Sequence, residues 1–197
     1  MDRQEFNMEY LSEMARKISD SNIVPYDDLP RYDLFLSQVI DYLNDKFEYE
    51  NYTSNIVQNY IKSEVISKPE DGKKRGYTKL HLAQLVLLSY MRPILTTEEI
   101  KKVFTLAFNN INDRDDDIIS WEDAYKTFSD IQKDILEKLL SKDMFNEAKL
   151  KEIIKGKDLK DKDEEKIMVF LVVMTLIAQS SAIKRLAQKI VDDYQHE

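Results

Sequence analysis

With 197 residues the chain suits one domain or two small ones, and its 43% hydrophobic content is enough to bury a sizeable core. Three glycines and four prolines are too few for a turn-rich all-β fold, so a mainly α protein is expected. Gly72, Gly76 and Gly156 cannot spell a dinucleotide fingerprint or a P-loop, and the absence of cysteine removes thiolate metal sites and disulfides. Two histidines, His81 and His196, cannot form a multi-histidine centre or support a Ser-His-Asp arrangement, so no cofactor, metal or catalytic residue is expected and the chain reads as a non-enzyme.

The opening MDRQEFNMEYLSEMARK mixes acids and bases without an apolar core, unlike a secretory signal, which points to the cytoplasm. Phe6, Tyr10, Leu11, Met14, Ala15 and Ile18 recur at three- and four-residue intervals and predict a first helix. Pro25 and Pro30 mark an extended connector, and Leu34, Phe35, Gln38, Val39, Tyr42, Leu43 and Phe47 predict a second helix over 32–48. Together these form an N-terminal helical arm, residues 1–50.

Thr53, Ser54 and Asn55 can cap a short third helix whose packing residues are Ile56, Val57, Tyr60 and Ile61. The following VISKPEDGKKRGYT, with an Asp71-Gly72 turn, predicts a small β-hairpin ending at Thr78. Leu80 to Met91 is an apolar helix stopped by Pro93, and Thr96 to Glu99 spell a capping box for a helix that turns Ile100, Val103, Phe104 and Ala107 inward. After an acidic loop, Ser120 caps a helix bearing Trp121, Tyr125, Phe128, Ile131 and Ile135 that runs to about Lys142. A shorter helix spans Phe145 to Ile154, and a charged connector from Gly156 leads into a long final helix, Lys166 to Tyr194.

Charge is unevenly distributed: residues 1–50 carry net −7, 51–104 net +4, 105–166 net −5 and the rest zero, for −8 overall. A basic island in an acidic protein is what a nucleic-acid contact surface needs, because phosphate affinity follows the local cluster. The element order in this island is that of a winged helix-turn-helix: a short capped helix, a basic hairpin, an apolar helix and a second capped helix. Asp113, Asp115, Asp116 and Asp117 resemble a metal cluster only superficially. Counted from Asp113 as an EF-hand loop, the positions that need Gly and Glu hold Ile118 and Ala124, so a solvated turn is the better reading.

Several motifs give the island a family likeness: Tyr60-Ile61-Lys62, Val65-Ile66 with Pro69, Arg75-Gly76-Tyr77, and Leu95 to Ile100. In these the stretch resembles the DNA-binding module of the mercury-resistance regulator (MerR) superfamily, and the whole chain looks like a bacterial family of unassigned function built around that module. The resemblance implies a MerR-like winged helix-turn-helix over 51–109, followed by a C-terminal helical regulatory and dimerisation region, 110–197. It implies double-stranded DNA as partner and transcription regulation as role. Two positions depart from the pattern: Gln58 stands where an arginine usually touches the DNA backbone, and Glu64 replaces the glycine usually found before the wing.

On this reading Thr53, Ser54, Asn55, Gln58, Asn59 and Lys62 face DNA from the short helix, since amides read adenine edges and lysine pairs with phosphate or guanine. Lys73, Lys74 and Arg75 reach phosphates from the wing. Helix capping is the competing explanation for the first three residues, and solubility for the wing lysines. A protein-interaction module that has lost DNA binding is the alternative function, in keeping with Gln58, Glu64 and the acidic total.

The apolar run Ile167 to Ala178, interrupted only by Thr175, falls short of the roughly 20 residues of a spanning helix, so no membrane is expected. The run should instead be covered by the helices around Trp121 and Phe145 or by another copy of the chain. MerR-like regulators dimerise through a helix after the module, which implies a homodimer through Ile183, Leu186, Ala187, Ile190 and Tyr194; completion of the core is the other use for this half. The sequence names neither an effector nor a protein partner.

Overall fold

The structure, a computed structural model, describes residues 9–10, 13, 24–47, 50–69, 76–139, 152 and 161–194. It is mainly helical, and the described residues form no strand. The chain divides into two compact units, one of residues 21–132 with 188–197 and the other of residues 1–20 with 133–187. Of the predicted first helix only Glu9, Tyr10 and Glu13 are described, and of the predicted Phe145–Ile154 helix only Glu152. The rest of both, and the Gly156 connector as far as residue 160, lie outside the described residues.

In the first unit a 3-10 turn, Tyr26–Asp28, precedes α1 (Leu36–Lys46), α2 (Ser54–Lys62), α3 (Lys79–Met91) and α4 (Thr97–Thr105). Next comes α5 (Trp121–Leu139), whose residues to 132 belong to this unit. Helix α1 starts later than its periodicity suggests. Leu34 does not open the helix; it exchanges both backbone bonds with Tyr77, its N–H donating to the Tyr77 carbonyl at 2.9 Å and its carbonyl accepting in return at 3.3 Å. The Gln38 carboxamide then accepts from the Phe35 N–H at 3.0 Å, satisfying one of the free donors at the start of the helix.

Helix α3 is the centre of this unit. His81, Leu82, Ala83, Gln84, Leu85, Val86, Leu88 and Ser89 are all buried, so it is enclosed on nearly every side by α1, α2 and α4 residues such as Val39, Leu43, Val57, Ile100 and Phe104. Its polar members are bonded in burial, apart from the Gln84 Nε2 donor, which has no partner: Gln84 Oε1 accepts from Ser67 N–H and hydroxyl at 3.0 and 2.9 Å, and Ser89 shares a hydrogen bond with the Tyr52 hydroxyl at 2.7 Å. Helix α4 begins as its sequence predicts, with Thr96 Oγ1 accepting from Glu99 N–H at 3.3 Å and the Glu99 carboxylate accepting from Thr96 N–H at 2.7 Å. Ser120 likewise caps α5, accepting from Asp123 N–H at 3.1 Å. Trp121 stacks on Phe108 with ring centroids 3.5 Å apart and meets Phe104 edge-on.

The acidic loop is a set of turns. Asn110 bridges Asp113, the Asp113 carboxylate accepts from Asp115 N–H at 3.1 Å, and the Asn109 amide donates to the Asp116 carbonyl at 2.6 Å. Desolvation, and then the neighbouring Asp116 and Asp113, push the Asp117 carboxyl upward. Among the described residues no three acidic or histidine side chains are close enough to share a metal ion.

The final helix, α6, spans Asp161–Tyr194 and so begins before the predicted Lys166. Its last turns belong to the first unit, where Val191 is buried and Gln188 donates to Glu99 at 2.9 Å. In the second unit Val172 is buried, while Ile167, Phe170, Val173, Met174 and Ile177 are exposed. The uncharged stretch also continues past Ala178 through Gln179, Ser180 and Ser181, and over Lys166–Asp193 the helix is long and apolar enough to cross a membrane by length and composition. Counting only the twelve residues from Ile167 to Ala178 misses this.

Candidate nucleic-acid interface

Helix α2 is held in place from behind. Asn44 near the end of α1 clamps the backbone that leads into it, donating to the Tyr52 carbonyl at 3.1 Å and accepting from the Tyr52 N–H at 2.7 Å. The Tyr52 ring is buried, its hydroxyl bonds Ser89 on α3, and the Arg92 guanidinium lies 4.9 Å over the ring while pairing with Glu50 at 3.0 Å. Burial raises the Tyr52 phenol, which stays a neutral partner for the serine. Val57 points into the core, and Ile56, Tyr60 and Ile61 pack around it.

The opposite face of α2 is free of apolar residues. Asn55, Gln58, Asn59 and Lys62 follow the i, i+3, i+4, i+7 spacing that puts them on one stripe, and all four are exposed, as are Thr53 and Ser54 at the N-terminal end. The structure therefore brings six of the nine sequence-predicted contact residues together on one surface. Thr53 also serves as the cap, its hydroxyl accepting from Ile56 N–H at 3.4 Å, so capping and exposure coexist at this position. Lys73, Lys74 and Arg75 lie outside the described residues, as does the Asp71-Gly72 tip of the predicted hairpin. A β-hairpin is not seen among the described residues; Tyr77, near the end of the predicted one, bonds Leu34 from the segment before α1.

At the far end of α2 the chain turns sharply. Ser63 donates through its hydroxyl to the Asn59 carbonyl at 2.9 Å, and Val65 N–H donates to the Tyr60 carbonyl at 2.9 Å, closing the last turn. Glu64 adopts φ 57, the left-handed region that favours glycine. Its carboxylate does not stand alone: Lys101 Nζ from α4 lies 3.5 Å away and donates to the Ser63 carbonyl at 3.3 Å. Sequence reasoning misses Asn44, Arg92 and Lys101 because each acts through a partner that no local pattern marks. Helix α1 packs beside α2 in the same unit.

Residues 24–128 match the family model described as "Domain of unknown function (DUF1836)". The chain belongs to this family, a family without an assigned activity, and the matched segment runs unbroken through α1 to α4 and into α5. Among curated proteins it is similar to "Uncharacterized protein YkrK" of Bacillus subtilis (strain 168), with 32% identity over 92 residues, 45% of this chain. The match spans only 38% of that relative. No solved structure matches.

Proposed function

We propose that the protein is a DNA-binding transcription regulator with a MerR-like winged helix-turn-helix over 51–109, α2 facing the DNA and the basic segment 73–75 the wing. The observation that carries this reading is the stripe Asn55, Gln58, Asn59 and Lys62, which holds hydrogen-bonding groups and one cation, no carboxylate and no apolar side chain. Carboxamides can read adenine bidentately in the major groove, and lysine adds phosphate or guanine contact. Lys101 supports it further by holding the Glu64 carboxylate beside the helix end, which reduces repulsion of a phosphate backbone. Control passes through the C-terminal region, with a homodimer formed through the second half of α6 and an effector or protein partner acting there. Cytoplasmic location and the lack of catalysis belong to the same proposal.

The competing reading is a protein-interaction surface on the same fold, favoured by net −8 and by Gln58 in place of a cation. A selection of bound duplexes from a random library discriminates them. Enrichment of a sequence that Gln58→Ala or Asn59→Ala relaxes at one base step supports readout by α2, at about 1–3 kcal/mol for each bidentate pair removed. No enrichment favours the interaction module.

A further inference from the structure

A cavity of about 300 Å3 opens in the first unit between the turn that ends α2, helix α4 and the chain that follows it. That volume stands at the lower end of the range for small-molecule sites, about 300–1,000 Å3. Its apolar wall is Phe104, Phe108 and Ile111, with both rings buried and Phe108 fixed by its stack on Trp121. The polar wall is Glu64 and Lys101, and Thr105, Asn109 and Asn110 complete the lining.

The ion pair on the polar wall is open to a competitor. Its 3.5 Å separation exceeds the roughly 2.7–2.9 Å of a close charge-assisted bond, and the Lys101 and Glu64 side chains are 40% and 55% exposed, so a ligand that enters between them breaks little. Lys101 has three donors, of which one goes to the Ser63 carbonyl. The two asparagines present opposite ends of their amides. Asn109 engages its NH2 with the Asp116 carbonyl and leaves its oxygen, whereas Asn110 engages its oxygen with the Asn112 N–H and leaves its NH2. The rim thus offers a cation and an amide donor to an anion, and a carboxylate and an amide acceptor to a cation. Glu64 keeps its carboxylate there at φ 57, where glycine would be free of strain, and strain of this kind gathers at ligand sites.

We propose that this cavity binds a free α-amino acid with an apolar side chain, its carboxylate on Lys101 and Asn110, its ammonium on Glu64 and Asn109, and its side chain against Phe104, Phe108 and Ile111. The site stands independently of the DNA-binding reading. The two charges on the rim sum to zero, as do those of the ligand. A lone anion leaves Glu64 unanswered beside the acidic loop, and a lone amine sets a second cation against Lys101, so both one-charge ligands are disfavoured.

The test is calorimetric titration of the full chain with L-leucine and L-phenylalanine. Alongside each go its deaminated acid, which lacks the ammonium, and its amide, which lacks the carboxylate. At least one of the two amino acids is expected to bind, roughly tenfold more tightly than either of its one-charge analogues. Glu64→Gln should erase the preference over the deaminated acid and keep the preference over the amide, and Lys101→Met should do the reverse. A folding defect does not produce that crossed pattern. Thr105→Trp, which fills the cavity from its exposed rim, should abolish binding with helical circular dichroism unchanged. No heat with either amino acid at millimolar concentration, analogues that bind as tightly as the amino acid, or the same preferences in both charge variants would overturn the proposal.

Discussion

Lys101 and Glu64 lie 3.5 Å apart across the end of α2, and the glutamate holds a backbone angle of φ 57 that its side chain disfavours. The position keeps the left-handed turn that glycine would make freely, and the carboxylate is held by a lysine that also caps the Ser63 carbonyl. Since Glu64→Gly and Glu64→Ala both remove the ion pair, their difference isolates the backbone cost. The glycine variant should be the more stable by about 1 kcal/mol in urea unfolding, the scale of left-handed strain in a residue with a Cβ. An alanine variant as stable as the glycine one contradicts this account of the turn.

Asn44 makes two bonds to the Tyr52 backbone, and their removal leaves a part-buried donor and acceptor without these partners. Asn44→Ala should therefore cost about 2–3 kcal/mol. Tyr52→Phe, which removes the hydroxyl with its bond to Ser89 and its interaction with Arg92, should cost about 1 kcal/mol. Equal effects would mean that the clamp does not set the α1–α2 geometry.

Alkaline pH should unfold the first unit through its tyrosines. Burial pushes Tyr42 and Tyr90 to about 12, and burial raises Tyr125, whose hydroxyl donates to the Val24 carbonyl at 2.7 Å. Because the folded state holds these phenols protonated above their ordinary value near 10, their stability contribution is complete below that pH and falls as pH climbs from about 10 towards 12. Tyrosinate absorbance should rise together with loss of helical circular dichroism in that window. Full ionisation near pH 10 in a still-folded protein would contradict the burial of the cluster.

The helices from α2 to α4 are legible in the sequence because their ends are chemical: Thr53, the Thr96–Glu99 box and Pro93 each act on nearby backbone groups. Leu34 misleads because it satisfies the helical spacing of α1, and only its pairing with Tyr77, far along the chain, draws it into extended backbone. The two apolar helices differ in burial for a similar reason. Ile167–Ala178 has the more apolar sequence, yet the helix enclosed on nearly all sides is α3, whose His81, Gln84 and Ser89 look ill-suited to a core until their partners Thr78, Ser67 and Tyr52 are placed. Burial depends on what surrounds a helix, and composition reports only what the helix would tolerate. The α2 stripe is readable from spacing; the Lys101 ion pair that offsets Glu64 is not.

The central claim is that this fold binds duplex DNA through α2, with the basic segment reaching the phosphates. Fluorescence-anisotropy titration of a mixed-sequence duplex over a range of salt concentrations, comparing the native protein with a Lys73→Ala, Lys74→Ala, Arg75→Ala triple variant, tests it most directly. The account predicts a steep log-log salt dependence for the native protein and a slope shallower by about two to three units for the variant, at roughly 0.9 for each phosphate that the variant leaves unneutralised. Equal slopes, or no binding by either protein at low salt, would contradict it.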